Sequence, residues 1–109
     1  MHDNRQEEKY PVSLGKQTLV GKIIVKGNPC PPSDLPCVPG VVFWLETGSD
    51  DYVIIIDSHG IWASNKIIFN NNEYFEDDEV EITGEVIVSQ NQFYEEYYNI
   101  EIETIKKLP

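Results

Sequence analysis

Basic residues are scarce in this sequence. Eight Lys and Arg face nineteen Asp and Glu among 109 residues, so the formal net charge is −11, and no basic residue lies between Lys26 and Lys66. Because affinity for nucleic acid depends mainly on basic side chains that neutralise phosphates, the charge argues against DNA, RNA and anionic membrane surfaces as partners. A local basic patch built from Lys16, Lys22 and Lys26 stays open.

Signatures of catalysis and of membrane insertion are also missing. No apolar run is long enough to span a membrane, and no glycine-rich loop of the phosphate-binding type is present. Asp57, Ser58 and His59 are the residue types of a catalytic triad, but adjacent residues of an extended chain point in different directions. We interpret them as a loop that ends a strand, and we predict no catalytic residue, no cofactor and no enzyme activity.

Acidic turns are the main candidates for binding a metal ion. Asp50 and Asp51, and the run at residues 76–79, supply the oxygen ligands that calcium prefers. Neither turn has the spaced loop with a terminal bidentate Glu that is typical of strong calcium sites. We interpret both as solvated turns and predict no metal site, and a weak calcium module remains an alternative.

Aromatic and β-branched residues are abundant, which indicates a β-rich globular domain. Within residues 79–89, apolar and polar residues alternate with the period of a strand that has one buried face. Gly84 stands at an apolar position, where glycine usually marks a bend, a bulge or a close backbone approach. Tyr98, Ile100 and Ile102 repeat the alternation, so the two stretches form a predicted long hairpin joined by residues 90–97.

The rest of the chain predicts further strands in one domain. They are expected at residues 18–26, 41–47, 52–57 and, as a short strand, 66–69. The second and third are almost continuously apolar, which predicts burial on both faces. Just before the short strand at 66–69, a single helical turn at residues 62–65 is an alternative. Residues 1–11 are predicted to be a flexible charged tail, and residues 12–109 a single domain.

A proline-rich loop at residues 30–40 carries both cysteines, Cys30 and Cys37. Four prolines in this stretch exclude a helix or a central strand. A disulfide would close a short ring, would stabilise the fold by about 2–3 kcal/mol, and would place the protein in an oxidising compartment. Two reduced thiols and half of a metal site are the alternatives.

The strand order resembles an OB fold over residues 18–108. The resemblance is carried by TLVGKIIVK as a bent first strand, the VVFWLET and YVIIID hairpin, FEDDEVEITGEV, and the closing strand YNIEIETIKKL. It implies an all-β, five- or six-stranded Greek-key barrel with little or no helix. The chain departs from the pattern in two ways. The segment that often forms a helix between the third and fourth barrel strands is short, and the predicted strands carry Glu in place of a basic groove.

An aromatic cluster is the candidate binding surface. Phe93, Tyr94, Tyr97 and Tyr98 lie in or beside the last long connection, and plugging of a barrel end is the alternative explanation. The OB resemblance implies that this connection and the proline-rich loop, with Leu35 as its apolar residue, share a binding face.

Together these features predict a non-enzymatic binding or interaction module. The expected partner is a protein or a neutral small ligand, and the expected location is periplasmic or secreted because of the cysteine pair. A cytoplasmic OB-type binder of single-stranded nucleic acid with reduced thiols is the alternative.

Overall fold

A computed structural model describes residues 10–30, 40–56, 59–60 and 65–109, with the backbone alone at residues 59–60. Every regular element in these ranges is a strand, and no helix occurs there. The strands are β1 (Val12–Gly27), β2 (Val41–Glu46), β3 (Asp51–Ile56), β4 (His59–Gly60), β5 (Ile67–Phe69), β6 (Asn72–Tyr74), β7 (Glu79–Gln90) and β8 (Glu96–Lys107).

Five of these strands close into a barrel. The order β2-β1-β7-β8-β3 is completed by pairing of β2 with β3, so the hydrogen-bonded ring has no interruption. The β3–β8 pair is parallel, and the other four pairs are antiparallel. The predicted fold class, a small all-β barrel, is therefore confirmed.

Alternation in β7 gives this strand one buried face and one more exposed face. Val80, Ile82, Val86 and Val88 are buried, as is Gly84 on the same parity, whereas the residues of the other parity are more exposed. The same parity continues in β8, whose inward residues Tyr98, Ile100 and Ile102 face the first set across the strand pair. The inward side chains of β7 and β8 thus form one apolar face, and their contacts stabilise the pairing of the two strands.

Strand β2 is buried on both faces, as its continuous apolar sequence predicts. Phe43 and Leu45 belong to the inner core of the barrel. Val42 and Trp44, on the opposite face, pack with Val53 of β3 in an outer cluster. Since successive side chains of a strand alternate between faces, a run of four buried residues requires both faces to be covered.

A small hairpin, β5–β6, packs against the inner core. Ile67 and Tyr74 are buried there, and the Tyr74 hydroxyl donates to the Ile105 carbonyl at 3.2 Å. Asn70 and Asn71 adopt φ of 52° and 68°, the left-handed backbone of a two-residue hairpin turn. The predicted short strand is confirmed as β5, and β6 is an additional strand that the sequence analysis did not predict.

The bounds of β1, β2 and β3 also differ from the prediction. β1 begins at Val12, six residues before the predicted start, because its first part pairs with the end of β7 around a bulge between Ser13 and Gly15. β2 ends and β3 begins one residue earlier than predicted. Three predicted segments lie partly outside the described residues: residues 1–9 of the tail predicted at 1–11, residues 62–64 of the possible helical turn, and Asp57 and Ser58 of the predicted loop. His59, which was predicted to lie in that loop, instead begins β4.

Candidate functional site

The β7–β8 hairpin ends in a five-residue loop, residues 91–95, which we call the aromatic tip. The sequence predicted a longer connection, residues 90–97. The loop is shorter because β7 continues to Gln90 and β8 begins at Glu96, and these two residues are partners in the strand ladder. Only Phe93 and Tyr94 of the four predicted aromatics therefore lie in the loop itself.

Asn91 organises the aromatic tip with its side chain. The Asn91 Oδ1 accepts hydrogen bonds from the backbone amides of Phe93 at 2.8 Å and Glu95 at 3.0 Å. Its Nδ2 donates to the Glu95 carboxylate at 3.1 Å. The backbone adds two bonds to the tip, Asn91 N to Glu95 O at 2.8 Å and Tyr94 N to Asn91 O at 2.9 Å. Asn is suited to this role because its short amide can replace backbone partners in a turn.

The tip presents two aromatic side chains to solvent. Phe93 is 69% exposed and Tyr94 is 70% exposed. Tyr94 also adopts φ of 64°, a left-handed conformation that is uncommon for a bulky residue. Its carbonyl accepts a hydrogen bond from Gln90 Nε2 at 3.2 Å. The chain thus holds a strained backbone conformation and leaves both rings outside any core, a combination found more often at functional sites than in simple turns.

Tyr97 and Tyr98 lie in β8 and point to opposite faces. Tyr98 packs against the inner core and stacks on Tyr52 with ring centroids 5.2 Å apart. Tyr97 packs against the outer cluster and is half-buried. The structure therefore does not bring all four predicted aromatics together on one surface. Packing against the two apolar clusters explains the positions of Tyr97 and Tyr98.

A buried polar network beside Tyr97 was not predicted from the sequence. Asn99 is 5% exposed, and its Nδ2 donates to Ile87 O at 3.2 Å and to Ser89 Oγ at 3.0 Å. Burial raises the pKa of the Tyr97 hydroxyl, and a hydrogen bond with Ser89 opposes that rise. The alternation in β8 places Asn99 on the polar parity with Glu101 and Glu103, which predicts an exposed side chain, so the sequence carried no signal for its burial.

The base of the proline-rich loop is closed by a backbone hydrogen bond. Asn28 N donates to Gly40 O at 3.0 Å. The Cys30 Sγ lies 3.8 Å from the Asn28 carbonyl oxygen. Cys37 and Leu35 lie outside the described residues, so the Cys30–Cys37 disulfide and the role of Leu35 stay predictions.

The proposed basic patch on β1 is largely neutralised. Lys16 pairs with Glu103 at 2.8 Å, and Lys26 pairs with Asp51 at 2.6 Å. Lys26 also lies 4.3 Å from the ring centroid of Trp44, whose indole is only 8% exposed. A flat aromatic ring that could stack on a base is therefore not available at this position.

Comparison with protein-family models, curated proteins and solved structures finds no match for this chain. Within the described ranges, no helix is long and apolar enough to cross a membrane. The same residues bring together no group of three or more His, Cys, Asp or Glu that could hold a metal ion.

A small acidic cleft lies on the outer face of β1, β7 and β8. Its volume is about 250 Å³, and it is lined by Lys16, Glu85, Glu101, Ile102 and Glu103. The Ser13 hydroxyl donates to Glu85 at 2.5 Å, and Lys16 pairs with Glu103. The cleft is smaller than the pockets that usually enclose a small ligand, about 300–1,000 Å³.

Proposed function

We propose that this chain is a non-enzymatic binding module that recognises another protein through Phe93 and Tyr94 of the aromatic tip. The observation that carries the proposal is the hydrogen-bonded loop that keeps both rings exposed. Exposed aromatics on a stiff loop are suited to protein recognition, because a ring buries a large area with few rotatable bonds. A loop already fixed in one conformation loses little entropy on binding.

The barrel that carries this loop is proposed to be an OB fold. Support comes from the strand order of the closed ring and from the single parallel pair, β3–β8. The β5–β6 hairpin stands where many OB folds carry a helix, since it packs against the inner core between the third and fourth barrel strands. In OB folds the loop between the last two barrel strands contributes to ligand binding, which is the position of the aromatic tip.

A protein partner is favoured over a neutral small ligand and over nucleic acid. The cleft on the outer face is small, and Phe93 and Tyr94 are exposed side chains that do not line it. Five of the six described lysines form ion pairs with carboxylates. Those lysines are already occupied by internal partners, which weakens the case for phosphate contacts.

A location outside the cytoplasm remains part of the proposal and depends on a disulfide between Cys30 and Cys37. Mass spectrometry of the non-reduced protein from its native source should find a chain lighter by two hydrogens than the reduced one. Two alkylatable thiols in that material would reject this part of the proposal and leave the binding function untouched.

The binding function is tested by selection from a phage-displayed library of random twelve-residue peptides. We expect enriched peptides whose affinity falls at least about tenfold for the Phe93→Ser/Tyr94→Ser variant, as is common for aromatic hot spots. Phe75→Ser is the matched control, because Phe75 is also an exposed aromatic but precedes the opposite end of β7. Failure to enrich any peptide, or equal affinity for the double variant, would reject the proposal.

A further inference from the structure

We infer that the partner segment is cationic: an apolar side chain that contacts Phe93 and Tyr94, with Lys or Arg beside it. This inference rests on the proposed function and specifies the chemistry of its partner. The observation behind it is a pair of exposed carboxylates, Glu95 and Glu96, that directly follow the two rings.

Both carboxylates are held in place by neighbours that carry no charge. Glu95 accepts a hydrogen bond from the Asn91 amide at 3.1 Å. Glu96 accepts a hydrogen bond from the Tyr10 hydroxyl. Each carboxylate retains its negative charge and further lone pairs, so it can accept a bond from a cationic partner. Because the side chains are already oriented, less conformational entropy is lost when such a bond forms.

None of the described lysines forms an ion pair with Glu95 or Glu96. The five paired lysines contact other carboxylates, those of Asp51, Glu73, Asp78, Glu81 and Glu103. Among the described residues, the aromatic tip and the adjoining Glu96 therefore combine apolar area with carboxylates that form no ion pair. An apolar partner surface edged by Lys or Arg complements both features, whereas an acidic surface would be repelled.

The charge of the whole chain favours the same class of partner. A net charge of −11 attracts cationic segments from a distance and repels anionic ones. The association rate should therefore fall as the ionic strength rises, because salt screens attraction between exposed charges.

The test uses the same peptide library with charge-neutralising variants. Glu95→Gln/Glu96→Gln keeps an acceptor oxygen for Asn91 and for Tyr10 while it removes two charges. Glu76→Gln/Asp77→Asn is the matched control, since it removes two exposed charges from the turn that precedes the opposite end of β7. We expect the enriched peptides to carry net positive charge and an apolar residue. We expect their affinity to fall about 3- to 10-fold for the tip variant and less than about twofold for the control.

Neutral or acidic enriched peptides, or equal affinity for the two charge variants, would overturn the inference. If Phe93→Ser/Tyr94→Ser still abolished binding in that case, the binding function would stand and only the cationic partner would be rejected. If Phe93→Ser/Tyr94→Ser left binding unchanged, both would be rejected.

Discussion

Gly84 of β7 lies directly against the backbone of Glu101 in β8. A Cβ placed on Gly84 would lie 2.0 Å from the Glu101 carbonyl oxygen, well inside van der Waals contact. The register of the β7–β8 pair shifts at this point, between Thr83 and Gly84. Glycine thus allows the two strands to approach at a bulge, which lets the long hairpin bend into the barrel.

Replacement of Gly84 by alanine should destabilise the fold. The two strands would have to separate or the ladder would have to shift, so we expect the free energy of unfolding to fall by about 2–3 kcal/mol. Gly27→Ala is the control, because a Cβ there meets nothing within 4 Å. Urea unfolding followed by far-ultraviolet circular dichroism measures both. Equal stability of the two variants would contradict the close approach.

Asn99 should also contribute to stability. Asn99→Ala removes two hydrogen bonds and leaves the Ile87 carbonyl without that donor, so we expect a loss of about 2 kcal/mol. Asn72→Ala provides the comparison, because the Asn72 amide is exposed and its bond to Asn70 O is long, 3.4 Å. The same urea titration applies, and a loss below about 0.5 kcal/mol at Asn99 would argue against a buried network.

The sequence was most informative where burial is one-sided. Val80, Ile82 and Val86 follow a strict period of two, so the strand, its buried face and the exceptional role of Gly84 could all be predicted. The all-β barrel follows from several such strands. The first part of β1 was missed because residues 12–17 have no alternation, and pairing with β7, which is a tertiary contact, decides their conformation.

The candidate site was predicted less completely. Phe93 and Tyr94 are exposed in the loop, a point that the sequence left open against plugging of a barrel end, whereas Tyr97 and Tyr98 belong to the strand. Tyr98 is in phase with Ile100 and Ile102, and this parity already indicated an inward side chain. The hydrogen bonds of Asn91 could not be predicted, because asparagine in a loop has many local partners and the sequence does not select one.

The free energy of unfolding should fall at alkaline pH because two tyrosines, Tyr97 and Tyr52, have a raised pKa in the folded state. Burial raises the pKa of Tyr97 above its ordinary 10.0, and burial, together with Asp50 and Tyr98, raises the pKa of Tyr52. The folded state then holds the phenolic proton more tightly than the unfolded state. This contribution to stability is complete below pH 10 and is lost as the pH rises through the raised pKa.

We therefore expect the free energy of unfolding to fall as the pH rises above about 10, with a shallower slope for Tyr97→Phe. Urea unfolding at each pH measures the slope, and absorbance at the tyrosinate band reports the ionisation. Identical slopes for the wild type and Tyr97→Phe would show that Tyr97 does not titrate differently in the folded state.

Asn91 should control the order of the aromatic tip. Asn91→Ala removes acceptors for two backbone amides, so we expect lower NMR order parameters for residues 93–95 and about tenfold weaker binding of a selected peptide. Gln92→Ala, which replaces an exposed neighbour, should change neither quantity. Unchanged order parameters in Asn91→Ala would mean that the backbone alone fixes the loop.

Recognition of a peptide by the aromatic tip is tested most directly by an amide-resolved NMR titration of the folded, non-reduced protein. Two ligands are compared, a peptide obtained by the selection and a short single-stranded oligonucleotide at low salt. We predict shifts with the peptide that centre on residues 91–96, and no shifts with the oligonucleotide. Shifts with the oligonucleotide, or peptide shifts confined to strands away from the tip, would contradict this prediction.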